Sequence, residues 1–221
     1  MTSGPQIDFR RARNAEQREA RRHAILGVAA GLLREMPVSD ISLRELSRRV
    51  GLSKTNVVRY FETREAVFFA LLNRSLGEWL AELPAELPPA PASPASVMDA
   101  WARSVAARPV ICELWSSLGT ELERNISTET VRDFKIAHAD LQRRLADLVR
   151  ERLPALTPAA SRELVSLSVV LIAGLWPFAN PSPSVAEAVS DPRLSHSRVD
   201  FAQWLSRALL VTVTGLLHPP A

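Results

Sequence analysis

Apolar residues recur along this chain at three- and four-residue intervals, and no clear stretch alternates apolar with polar positions. That period predicts helices throughout. The first is expected over residues 16–33, with Ile25, Val28, Ala29, Leu32 and Leu33 on one face and Pro37 just past its end. The second is expected over 42–50. Ser42 and Glu45 there have the spacing of a capping box, and Gly51 suits a left-handed C-terminal turn. Ser53 caps a short third helix reaching Tyr60. Thr63 caps a fourth with Ala66, Phe69, Leu72, Leu76 and Leu80 at helical spacing. Five prolines within residues 84–94 read as a connection, because proline breaks a helix interior. Further helices are expected at 95–106, 109–123, 128–152, 159–176 and 200–217, and proline-rich residues 177–199 as a long loop with one helical turn. The expected class is all-α, with about nine helices.

At 221 residues the chain suits one or two domains of about 100–200 residues each. An apolar share of 47% and a charged share of 23% exclude wholesale disorder. Cys112 stands alone and cannot form an internal disulfide, and four scattered histidines do not make a zinc site. A reducing, cytoplasmic setting is expected, with no metal and no cofactor. The first 22 residues hold no apolar stretch for a signal peptide. The longest apolar run, near residues 164–178, falls short of the ~20 residues of a membrane helix, so no membrane partner is expected. Neither paired carboxylates, a nucleophile with a base, nor a phosphate-cradling glycine loop is evident, which argues against an enzyme. Charge divides the chain unevenly. Residues 1–75 carry 14 basic and 8 acidic side chains, a net +6, and the remainder carries −3. A basic front end is either a solvated cationic face or the footprint of a polyanion.

Residues 43–60 meet the demands of a helix-turn-helix. With Gly51 as the turn, Leu46, Val50, Leu52, Val57 and Tyr60 point inward and the small Ser47 takes the close contact. Lys54, Thr55, Val58 and Arg59 point outward on the second helix, a donor-rich surface that fits the major groove. The same pattern also suits an ordinary helical hairpin.

The run Ile41-Ser42-Leu43-Arg44-Glu45-Leu46-Ser47-Arg48-Arg49-Val50-Gly51-Leu52-Ser53-Lys54, followed by Val57, Tyr60-Phe61 and Arg64-Glu65-Ala66, resembles the DNA-binding domain of the TetR family of bacterial transcriptional regulators. It departs from the family pattern at Thr55-Asn56, where Gly-Thr is common, at Val58 for a tyrosine and at Arg64 for a lysine. The resemblance implies an N-terminal three-helix helix-turn-helix domain over residues 1–75 and a helical ligand-binding and dimerisation domain over 76–221. It further implies a homodimeric repressor that binds palindromic double-stranded operator DNA and is released by a small apolar or amphipathic effector. Ser42 would bind phosphate at a helix N-terminus. Arg44 would reach a guanine edge or a phosphate, and Lys54, Thr55 and Asn56 would contact bases, Asn56 suiting adenine. Arg59 would read guanine or clamp phosphate, and Val58 would meet a thymine methyl. Tyr60 and Arg64 would position the DNA backbone, with Tyr60 equally suited to packing the hairpin. The Arg-rich lead-in, residues 10–22, is either an arm along DNA or a solvated helix start. A helical adaptor that binds protein without DNA is the rival reading.

All five tryptophans lie after Ser75. Trp101, Trp115, Phe134, His138 and Trp176 are the candidate ligand contacts, since aromatic-lined pockets hold apolar ligands; each also suits plain core packing. His138, on an otherwise apolar stripe, is either a satisfied core histidine or a group that orients a ligand. The last two helices are apolar nearly all round, which points to a covered surface between two copies. Leu171, Gly174, Leu205, Ala208, Thr212 and Gly215 are the candidate interface residues.

Overall fold

A computed structural model describes residues 5–218, with side chains from residue 16 onward except Ser195. Ten α-helices form among them: α1 Pro5–Leu32, α2 Leu43–Val50, α3 Lys54–Val58, α4 Arg64–Glu86, α5 Pro94–Ala106, α6 Pro109–Ser117, α7 Thr128–Arg152, α8 Pro158–Ala179, α9 Pro183–Ala188 and α10 Phe201–Leu217. Short 3-10 turns cover Val38–Asp40 and Pro192–Ser197, and a π-turn over Leu118–Leu122 prolongs α6. The described residues contain no strand. The chain divides into two compact units, Met1–Leu71 and Leu72–Ala221, with the boundary inside α4.

The helix starts follow from local chemistry. Ser42, Ser53, Ser93, Ser127 and Thr157 each accept a hydrogen bond from the amide three residues on, as does the Asp200 carboxylate from Gln203 at 2.9 Å. Pro94, Pro109, Pro158 and Pro183 occupy first positions, where the missing N–H costs nothing.

Several boundaries differ from the sequence expectation. Helix α1 begins at Pro5 instead of residue 16; over the lead-in, side chains 10–15 lie outside the described residues. Helix α4 runs through Pro84 to Glu86, because Leu83 and Leu87 are buried and the Leu87 amide still reaches the Leu83 carbonyl at 3.0 Å. Helix α8 likewise passes Pro177, and α9 with the 3-10 turn fills what reads as a loop. Its 22 residues also correct the length argument made from the apolar run: α8 is long and apolar enough to cross a membrane by length and composition.

Within the second unit, α8 packs on α6, α7 and α10, and α10 on α5. Leu164, Val165, Ser168 and Ile172 of α8 face this core, as do Phe201, Leu205, Leu209 and Val213 of α10.

Candidate nucleic-acid interface

The first unit is built around α2 and α3. Leu46 and Val57 are fully buried, and Ser47 is small enough to sit inside, its hydroxyl donating to the Leu43 carbonyl at 2.6 Å. Gly51 takes φ 73°, the left-handed conformation in which a side chain is strained. Its amide closes the end of α2 on the Ser47 and Arg48 carbonyls. This turn lets α3 leave at an angle and present its far side.

That side is polar and open. Ser42, Arg44, Lys54, Thr55, Asn56 and Arg59 are exposed, and Val58 is 42% exposed, so seven of the predicted residues are open to solvent. Ser42 Oγ accepts from the Glu45 amide at 3.1 Å, which leaves its hydroxyl proton free to donate outward. Glu45 itself is held by Arg48 at 2.6 Å and Arg49 at 3.1 Å, and Glu35 takes the other side of the Arg49 guanidinium. Both carboxyls are held below the usual range, chiefly by hydrogen bonds from Arg48 for Glu45 and from Arg49 for Glu35. Arg44 and Lys54 have no acidic partner among the described residues, so two of the cations on this surface stay available.

Tyr60 and Arg64 are placed differently. Tyr60 is half-buried, and its carbonyl accepts from Arg22 Nη1 at 2.7 Å. The Arg22 guanidinium also lies 4.4 Å over the Phe61 ring, a cation–π contact that ties α1 to the end of α3. Arg64 does not face outward as a DNA positioner would. Its guanidinium donates to the Val38, Ser39 and Ile41 carbonyls at 3.1, 3.4 and 3.2 Å and pairs with Glu65 at 3.1 Å. The carbonyls it holds belong to the turn that delivers Ser42 to the start of α2. Its effect on that surface therefore passes through the backbone. Sequence reading missed Arg22 and this use of Arg64, because both bonds join residues more than 20 positions apart.

In the second unit three of the predicted ligand residues, Trp115, Phe134 and His138, form an aromatic cluster with Trp79. Trp101, Trp115, Phe134 and His138 are buried, and Trp115 and Phe134 lie 6.2 and 5.1 Å from the His138 ring. The Trp115 indole N–H donates to His138 Nε2 at 3.2 Å, and His138 Nδ1–H donates to Asn73 Oδ1 at 2.8 Å. Both ring nitrogens are thus satisfied in the neutral tautomer. Burial, with Lys135 nearby, pushes the His138 pKa down to about 4. Trp176 is half-buried, its indole N–H on Glu113 Oε2 at 3.0 Å and its ring against Phe201. The Trp101 indole N–H is buried with no acceptor among the described residues. Cys112 is a buried thiol whose pKa burial pushes far up, so it is unreactive.

Five predicted interface residues, Leu171, Gly174, Ala208, Thr212 and Gly215, lie on the outer side of α8 and α10. Leu205 does not: it is fully buried in its own unit, four residues from Phe201 and Leu209 on the core stripe. Leu167, Val170 and Phe178 of α8 and Trp204 and Val211 of α10 complete an exposed apolar stripe on each helix.

Residues 73–220 match the family described as tetracyclin repressor-like, C-terminal domain. The chain is 38% identical over 69 residues to the HTH-type transcriptional regulator EthR of Mycobacterium tuberculosis, covering 28% of this chain and 32% of that one. It is 35% identical over 66 residues to RutR of Escherichia coli, covering 30% and 31%. The matches span about a third of the length of these relatives. A TetR transcriptional regulator from Rhodococcus sp. RHA1 shares the fold with a TM-score of 0.61 at 17% identity, over 91% of this chain and 97% of that one.

Two outcomes follow from this geometry. Arg64→Ala removes a donor from three carbonyls, of which that of Val38 keeps the Ile41 amide and that of Ser39 is open to water, and should destabilise the fold by about 1–2 kcal/mol in chemical denaturation; unchanged stability would return Arg64 to a purely surface role. The unfolded histidine titrates near 6.5 and His138 near 4, so the unfolded state binds more protons between those values. The stability His138 contributes is therefore complete above pH 6.5 and lost as pH falls towards 4. At pH 5 the loss should be about 2 kcal/mol, and a His138→Gln variant should lack that part of the pH dependence in denaturation curves.

Proposed function

The chain belongs to the TetR family of transcriptional regulators, and we propose that it is a cytoplasmic repressor that binds palindromic operator DNA as a homodimer and is released by a small apolar or amphipathic molecule. The observation that carries this reading is the division of side chains on α3. Val57 alone is buried, while Lys54, Thr55, Asn56 and Val58, together with Arg59 after them, all face outward. A helix spending one residue on its core and the rest on solvent fits the major groove, where Asn56 pairs with adenine and Val58 meets a thymine methyl. Ser42 and the free amides at the start of α2 suit a backbone phosphate, with Arg44 two residues on.

The homodimer is supported by the apolar stripes on α8 and α10. A second copy covers them through a two-fold axis, and the open space beside Gly174 and Gly215 lets the helices approach closely. Two-fold symmetry in the protein requires an inverted repeat in the DNA. Release by a ligand is supported by the buried aromatic cluster and by the unpartnered Trp101 indole N–H, which an acceptor on an apolar ligand would satisfy.

Enrichment of random-sequence duplexes on the purified protein should yield an inverted repeat with half-site centres about one helical turn, ~34–36 Å, apart. No enriched motif, or one without two-fold symmetry, overturns the reading. Asn56→Ala should then weaken the enriched site by about 1–3 kcal/mol per half-site and leave non-specific binding unchanged. Light scattering should give about twice the 24.4 kDa chain mass, and Gly215→Arg should give monomer because it places a bulky charge in the close contact. A monomeric wild type at micromolar concentration removes the dimer.

A further inference from the structure

Gln17, Arg18 and Arg21 of α1 and Arg59 and Tyr60 after α3 line a cleft of about 390 Å³ in the first unit. Among the described residues, none of its three arginines has an acidic partner. This contrasts with Arg22, Arg48, Arg49 and Arg64 nearby, each of which is committed to a carboxylate. Glu19, within the same turns of α1, is turned to Arg22 at 3.8 Å and His23 at 3.4 Å. Three arginines thus share one cleft with no acidic partner among the described residues, and like charges three apart on a helix repel.

The cleft is built, because Arg22 fixes its walls. That side chain binds the Tyr60 carbonyl and stacks on Phe61, and so holds α1 beside the end of α3. Arg18 and Arg21 stand within one turn of this post on α1, and Arg59 directly precedes Tyr60. The amide of Gln17 and the hydroxyl of Tyr60 can add donors to the guanidinium forks. Such a set suits a phosphate with several anionic oxygens, which arginine binds through paired N–H groups.

From this we infer a second phosphate site, in which Arg18 and Arg21 of α1, with Arg59, grip the DNA backbone beside the base pairs that α3 faces. The inference rests on the DNA-binding reading above and extends it. Arg59 belongs to the phosphate grip, and the footprint extends along α1 beyond the helix-turn-helix. Backbone contacts of this kind add affinity and register without reading sequence.

The test uses the full chain and a labelled 40-bp duplex of random sequence, with affinity followed over about 0.05–0.2 M salt. Arg18→Ala/Arg21→Ala is compared with the wild type and with Arg124→Ala/Arg144→Ala, which removes two exposed arginines from the second unit. Alanine favours helix, so α1 should keep its structure, as circular dichroism can check. The cleft variant should bind roughly tenfold or more weakly, with a salt slope smaller by about two, while the control keeps the wild-type slope. Equal affinity and slope in the cleft variant and the wild type overturn the phosphate site and leave DNA binding standing. A wild type that binds no duplex overturns both. Calorimetry with inorganic phosphate separates the sources: millimolar or tighter binding that the cleft variant loses, with DNA binding intact, assigns the cleft to a free anion and overturns the inference.

Discussion

Everything that faces outward on α3 depends on one buried side chain. A five-residue helix cannot persist alone, because nucleation costs more than its few hydrogen bonds return. Val57 supplies the tertiary anchor, and burying a side chain of that size contributes about 1.5–3 kcal/mol. Ser53 closes the front of the helix through the Asn56 amide. Behind it, the Tyr60 and Phe61 amides both return to the Val57 carbonyl, at 2.9 and 3.0 Å. Phe61 is then buried and roofed by Arg22. With the helix held by its ends and one central residue, the remaining side chains have no packing duty and are free for recognition.

Charge is sorted in the same way. The sequence shows a basic front end without saying which cations are available. Folding ties Arg48 and Arg49 to Glu45 and Glu35, and Arg64 to backbone carbonyls and Glu65. Arg18, Arg21, Arg44, Lys54 and Arg59 remain without acidic partners among the described residues, and all are exposed. The tied arginines shape the unit; the free ones carry its positive field. Exposed ion pairs of the first kind add little stability, so their clearest effect is to keep particular cations away from the outward surface.

Much of this was legible because it is local. The serine and threonine caps, prolines at first helical positions and Gly51 at the end of α2 are governed by neighbours within one turn. The misread boundaries share a different cause. Pro84 and Pro177 are breakers by rule, yet each lies in the last turns of a long helix, where one lost bond is outweighed by burial such as that of Leu83. Leu205 was misplaced because an all-round apolar helix does not reveal which face turns inward; the packing of α10 on α5 and α8 decides it. The roles of Arg22 and Arg64 and the Asn73–His138 bond were illegible because their partners are remote in sequence.

The helix α4 belongs to both units and carries a fixed point in each. Arg64 at its start holds the turn before α2, and Asn73, in the second unit, is bonded to His138. A ligand shifts a conformational equilibrium only by binding one state better than the other. Around His138 every polar group already has a partner, so an apolar intruder there would strand the Trp115 indole N–H or the Asn73 amide, at a cost of about 1–3 kcal/mol for each buried group. A ligand acceptor would replace the bond lost by the Trp115 N–H, whereas Asn73 Oδ1 would need a donor. At Trp101 the balance is reversed, since its buried N–H is unpaired before any ligand arrives and an acceptor gains a bond without breaking one. An apolar molecule carrying a hydrogen-bond acceptor would answer the indole N–H of Trp115 or of Trp101, and at Trp101 it would break no existing bond.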